Sequence, residues 1–258
     1  MFMMFLELGS MVFAVSMASA AGLVGCFAVM RRMTLAADAI SHVALPGIGI
    51  ALLFHLQPVV GALAMLLFGT LLIWGIEERT RISTETIVGV VFSVALAIGS
   101  LMASGEELID ALFGAPGLLT GWETALGLIG AAAVIIFILK ARHSLVVSLV
   151  SPDIALTSGI NVARLNLLYL LAFALTVALG LRYLGVLLMG SLIIIPAATA
   201  RRLARSLNGM LSISVAIAVV STALGASAGS LFHRDTGPII ITSAGTIFFL
   251  SLLKRQPR

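Results

Sequence analysis

The chain has 258 residues, 60% of them hydrophobic and only 10% charged, with a mean hydropathy of +1.19. That much apolar surface exceeds what one water-soluble core encloses, which excludes a soluble globular protein and places the chain in a membrane. The formal charge of +4 and the pI near 10.0 come from basic residues in short segments between apolar runs, a topology signal that gives no reason to expect a nucleic-acid partner.

The first apolar run, 9–30, contains the small-residue string SMASAAG and resembles a secretory signal. Such a signal begins with positive charge, whereas residues 1–10 hold Glu7 and no Lys or Arg, and the positive pair Arg31 and Arg32 follows the run. The run is therefore expected to be a first transmembrane helix with its N-terminus outside. Counting about 20 apolar residues per crossing, further spans are expected at 36–54, 59–76, 87–103, 124–139, 165–181, 184–200, 210–230 and 238–253. The expectation is an all-α, polytopic transmembrane helical bundle of about nine crossings. It becomes eight if the tight turn at 181–185 is re-entrant, and it forms one domain over 1–258 with the C-terminus inside.

The distribution of positive charge supports this layout. Cytoplasmic segments then hold Arg31, Arg32, Arg79, Arg81, Lys140, Arg142, Arg164, Arg201, Arg202, Arg205, Lys254, Arg255 and Arg258, leaving only Arg182 and Arg234 outside. Between spans, 104–123 starts acidic with Glu106, Glu107 and Asp110, turns apolar, and breaks at Gly114 and Pro116, as an interfacial or re-entrant helix does. Cys26 lies within a span and is expected to be a buried structural thiol. The small residues Gly22, Gly25, Gly225 and Gly229 allow close helix approach, and Pro196 is expected to kink or end a span.

Within the second span, Asp38 and His42 are one helical turn apart, so one helix face offers a carboxylate and an imidazole together. Both groups bind transition metals, and an ionisable residue inside a span costs about 2.5–3.5 kcal/mol on insertion scales, which marks it for function. His55 reads as an interfacial residue, and His143 sits in a basic segment that repels cations. His233 with Asp235 is external and able to touch arriving metal, although Arg234 stands between them. On the cytoplasmic side SPDIALTSGIN carries Pro152 suited to a helix start and Gly159 suited to a helix end. A short exposed helix there needs a partner.

Three blocks, RRMTLAADAISHVALPGIGIAL, SPDIALTSGINVARLNLLYLL and LGVLLMGSLIIIPAATARRLA, together resemble the membrane permease subunit of the ABC-3 family, bacterial importers of zinc, manganese and iron. The resemblance covers nearly the whole chain in order. It implies a homodimeric permease in the bacterial plasma (inner) membrane, separate cytoplasmic ABC ATPase subunits, and an extracytoplasmic metal-binding protein. No cofactor is bound permanently; the metal is cargo. The family's pathway residues fall on Asp38 and His42, where the DxxxH pattern is intact, and two copies across a two-fold axis supply four ligands. The family's ATPase-coupling helix falls on Pro152, Asp153, Ala155 and Gly159.

No GxxxxGK[ST] loop is present, so the chain has no ATP site of the usual kind, and a transport subunit rather than an enzyme is expected. HExxH and GxSxG are also missing, which argues against an intramembrane protease. Two alternatives stay open. A self-contained, ion-coupled metal transporter needs more acids within its spans than Asp38, and an intramembrane metalloenzyme needs further ligands and a base.

Overall fold

The computed structural model describes residues 2–80, 82–102, 121–232 and 235–253, without the side chains of 2–8, 35–38, 102, 182–183 and 186–187. The described residues form helices α1 (Phe2–Met30), α2 (Thr34–His42), α3 (Ala44–Leu53), α4 (Pro58–Arg79) and α5 (Thr84–Met102). They continue as α6 (Gly121–Val150), α7 (Pro152–Thr157), α8 (Val162–Leu203), α9 (Leu207–Phe232) and α10 (Thr236–Leu253). Among them, seven stretches are long and apolar enough to cross a membrane: Gly9–Met30, Pro58–Arg79, Thr84–Leu101, Gly121–Val150, Val162–Leu181, Leu207–Phe232 and Thr236–Leu253. Most of the expected segment 104–123, with Glu106, Glu107, Asp110, Gly114 and Pro116, lies outside the described residues, as do His233, Arg234 and several of the outlying basic residues.

The span expected at 184–200 is the second arm of α8. Gly185 interrupts the helix with φ 70° and ψ 175°, a backbone conformation that only glycine adopts without strain. A Cβ on Gly180 would lie 2.0 Å from Sδ of Met189, nine residues on, whereas an unbroken helix separates such residues by about 13.5 Å. The chain therefore folds back at Gly185. Both ends of the hairpin return to the same end of α1: Arg31 donates to Oδ1 of Asn166 in the first arm, and Arg201 at the end of the second donates to the Val29 carbonyl at 3.1 Å. The second arm also runs through Pro196 as helix to Leu203, so Pro196 does not end it.

The span expected at 36–54 is split. Val43 separates α2 from α3, and its N–H bonds Ile40 O at 3.0 Å, a tightened i→i−3 contact. Pro46 gives the cause: it has no N–H to offer the His42 carbonyl, and its ring crowds that position. The helix ladder thus breaks directly after His42.

The span expected at 124–139 is longer than its apolar stretch suggests. Helix α6 continues to Val150, and 30 residues amount to about 45 Å, against about 30 Å of hydrocarbon. Its last turns, with Lys140, Arg142 and the exposed His143, carry the helix beyond the end expected for the span.

Helix α1 is the hub, packing on α2, α6, α8 and α9. Small residues let this happen: a Cβ on Gly25 would lie 1.9 Å from the Ile193 carbonyl oxygen, so only glycine permits that approach of α1 to α8. Beside it Ser214 donates to the Gly22 carbonyl at 2.8 Å, Tyr169 to Val24 O at 3.2 Å, and the buried Cys26 thiol reaches Met210 O at 3.6 Å.

Polar contacts gather many helix ends on one face. Asn166 joins Arg31 to Glu77, Thr84 donates to Glu77, and Trp74 donates to Ala163 O at 3.2 Å. Arg142 reaches Asn208 at 3.0 Å, while Arg202 caps the end of α10 through Ser251 O at 3.1 Å and Leu252 O at 3.2 Å. Cations on C-terminal carbonyls satisfy orphan acceptors and complement the helix dipole. The arginines of this face therefore both mark it and tie it together.

Candidate functional site

Helix α2 carries both candidate ligands. Its backbone places residue 38 one turn before His42, while the Asp38 side chain lies outside the described residues. His42 is 8% exposed, and its ring meets Phe92 of α5 edge-on, with centroids 5.4 Å apart and planes at 80°. Helices α5 and α8 both pack on α2, so the imidazole sits inside the bundle at a helix break. Val43 itself keeps helical angles, φ −62° and ψ −18°, so the interruption is local to the ladder bonds around His42 and Pro46. The sequence places the candidate pair on one helix face but not the interruption after it, although Pro46, four residues after His42, was its signal.

Among the described residues, no three His, Cys, Asp or Glu side chains come together to hold a metal. A four-ligand site for zinc thus needs donors beyond the described side chains of one chain. His55 is exposed at the end of α3 with φ 54°, where Leu56 N–H bonds Ala51 O at 2.8 Å and His55 N–H bonds Leu52 O at 3.1 Å; it closes a helix there. Asp235 is exposed.

The segment read as SPDIALTSGIN forms the helix expected of it. Ser151 is the N-cap, its hydroxyl accepting from Ile154 N–H at 3.3 Å, and Pro152 opens the first turn. At the other end Gly159 has φ 78°; its N–H bonds Leu156 O at 3.0 Å and Ile160 N–H bonds Ala155 O at 2.9 Å, the paired bonds of a Schellman stop. The side chains divide between two faces. Ala155 is fully buried, so it fastens α7 to its own chain and offers nothing to a partner, whereas Asp153, Ile154 and Leu156 are exposed. The exposed apolar pair was not singled out from sequence.

Close to α7 lies an open cleft of about 500 Å³ lined by both arginines of the α1–α2 corner, by Glu77, Glu78 and Glu85, and by Ser148 and Asn166. In its wall Asn166 is held from two sides. Arg31 donates to its Oδ1, and its Nδ2 donates to Oε2 of Glu77 at 2.6 Å, while Thr84 donates to Oε1 of the same carboxylate. The Arg31 guanidinium also lies 4.4 Å over the Tyr169 ring. Burial pushes the Arg31 pKa below its ordinary value, with Tyr169 and Glu77 acting in the opposite direction, and the guanidinium stays charged. The next residue, Arg32, has φ 58°, a left-handed conformation that costs a non-glycine residue about 1–2 kcal/mol. It too forms a Schellman stop, with Met33 N–H bonding Ala28 O at 2.9 Å.

The family model described as ABC 3 transport family matches residues 4–255. The chain belongs to the ABC 3 transport family. Among its relatives, the high-affinity zinc uptake system membrane protein ZnuB of Haemophilus influenzae is 30% identical over 240 residues, covering 90% of this chain and 91% of that protein. The manganese transport system membrane protein MntC of Listeria monocytogenes is 29% identical over 248 residues, covering 95% of this chain and 89% of that protein. A solved structure, PsaBC from Streptococcus pneumoniae in complex with Fab, superposes with a TM-score of 0.82 at 27% identity over 96% of this chain and 91% of that one. As an ABC 3 family member this is a transport subunit, a multi-pass protein of the inner membrane. The match over residues 4–255 agrees with the resemblance seen in the three sequence blocks.

Proposed function

We propose that the chain is the permease subunit of an ATP-driven importer of a divalent transition metal: zinc, manganese or iron(II). It works as a homodimer with separate cytoplasmic ATPase subunits and an extracytoplasmic metal-binding protein. The observation that carries this reading is the position of His42, enclosed at a helix break one turn after Asp38, in a chain matching a transport family from end to end. Imidazole and carboxylate suit these metals, and the carboxylate offsets part of the cation's charge. A second copy related by a two-fold axis adds the same pair, giving four donors. Energy arrives through Asp153, Ile154 and Leu156, positioned by Pro152, Ala155 and Gly159, because the chain carries no phosphate-binding loop of its own.

The test is metal accumulation in cells lacking their own uptake systems, supplied with this permease, its ATPase and its binding protein. Zinc or manganese accumulation is expected only when all three are present and the ATPase is active. Accumulation with the permease alone would replace this reading by the self-contained transporter.

We also propose nine crossings with the N-terminus outside. Support comes from the α8 hairpin and from the polar contacts that gather helix ends on one face. In a Cys26→Ser background, cysteines at Glu78, Ser151 and Ser206 are expected to react with impermeant reagents only from the cytoplasm, and those at Glu107 and Thr236 only from outside. Labelling of position 236 from inside would show that the crossings between 165 and 230 are miscounted.

A further inference from the structure

Helix α7 leads through a four-residue turn into α8, and Asn166 stands in the second turn of that helix. Whatever moves α7 therefore moves Asn166. Asn166 is also the residue that grips the α1–α2 corner: an arginine can only donate and a carboxylate can only accept, so Arg31 and Glu77 between them fix both ends of its amide. On the far side of Arg31, only Arg32 and Met33 intervene before α2 begins at Thr34. The connection from the cytoplasmic helix to the helix bearing Asp38 and His42 is thus short and polar, and it passes through charge-assisted hydrogen bonds.

Two details distinguish this clamp from a passive brace. Arg31 Nε is buried without an acceptor among the described residues, so the clamp is incompletely satisfied in this state. Arg32, its neighbour, is held in a left-handed conformation without being glycine. Incomplete satisfaction and backbone strain at one corner both lower the cost of leaving this arrangement for another, as a moving joint requires.

We propose that Arg31, Asn166 and Glu77 are positioning residues that transmit motion of α7 to α2, and so link the ATPase cycle to access at the metal ligands. This rests on the transport reading given above. The clamp acts through α2 and touches no metal.

The test exploits the donor and acceptor order. Asn166→Asp keeps an acceptor for Arg31 but sets a second carboxylate against Glu77, and Glu77→Gln removes one of the two acceptors that Asn166 and Thr84 use. Together the two substitutions rebuild the network in reverse: the amide at position 77 donates to the carboxylate at 166 and still accepts from Thr84, with the net charge unchanged. In proteoliposomes holding permease, ATPase and binding protein, with zinc and manganese as probes, ATP hydrolysed per ion transported is measured. Each single variant is expected to raise that ratio by about tenfold or more, the effect of losing one hydrogen bond to a charged group. The double variant returns it toward wild type.

Single variants with the wild-type ratio overturn the proposal. So does a proportional fall in hydrolysis and transport, which is what a merely structural role produces, or a double variant no better than the singles. An Ile154→Asp, Leu156→Asp variant measured in parallel separates the levels. If it assembles with the ATPase and transports normally, the reading of α7 fails; if it loses assembly and transport while the Asn166 variant keeps the wild-type ratio, only the clamp fails.

Discussion

Replacing His42 with alanine is expected to abolish metal uptake while the protein still inserts and assembles. The change removes the imidazole's edge contact with Phe92, and His42→Gln is the control for lost bulk. Removing a polar group from a membrane interior also relieves an insertion penalty. If His42 is a metal donor in each copy of a homodimer, the expected functional cost is far larger, above the roughly 10–100-fold that follows loss of an outer-shell partner. Asp38→Ala is expected to have the same outcome for a second reason, the loss of negative charge that would partly neutralise the cation. His42→Gln keeps the bulk and separates packing from ligation. Zinc and manganese uptake into proteoliposomes decides the matter: wild-type rates in both alanine variants would remove the pair from the path.

The second large effect is at α7. Ile154 and Leu156 are 57% and 60% exposed, so aspartates there leave the permease fold intact. If both side chains are buried against the ATPase, each contributes about 1.5–3 kcal/mol, and replacing them with charges weakens the complex by two orders of magnitude or more. Complex formation, ATP turnover and metal uptake should fall together in the Ile154→Asp, Leu156→Asp variant. Should all three stay at wild-type levels, the segment has no part in coupling. Gly159→Trp is a poorer probe, because at φ 78° any side chain strains the backbone whether or not a partner is present.

A linear sequence expresses chiefly what acts between near neighbours. The bounds of α7 were legible because Pro152 and Gly159 act on their own neighbours, and the turn at 181–185 was legible because two apolar runs meet at a glycine; the Ser151 cap appears only in the structure. The extension of α6 to Val150 was misread, since the drop in hydropathy at Lys140 ends an apolar run but not a helix; no glycine or proline intervenes between Ala131 and Ser151. At Val43 the signal was present and local, a proline four residues after His42, but the apolar pattern around it masks a break. The inward turn of Ala155 depends on what the rest of the chain packs beneath it. Arg31 and Asn166 stand 135 residues apart, and no local rule pairs them.

The burial of α1 bears on how the molecule is made. The window over Gly9–Met30 is 78% buried, whereas the other membrane-length stretches are between 22% and 44% buried. Of the described helices, the first to leave the ribosome is therefore the one that ends at the centre, and it must wait in lipid with Gly22 and Gly25 uncovered and with the second hydrogen bonds to its carbonyls, from Tyr169 and Ser214, not yet made. Independent insertion followed by side-to-side association suits such a helix. Its surface of small residues offers lipid little to grip, so newly made α1 is a vacant slot that α6, α8 and α9 fill as synthesis proceeds. A chain cut before α8 would leave that slot open, without the partner against which Gly25 packs.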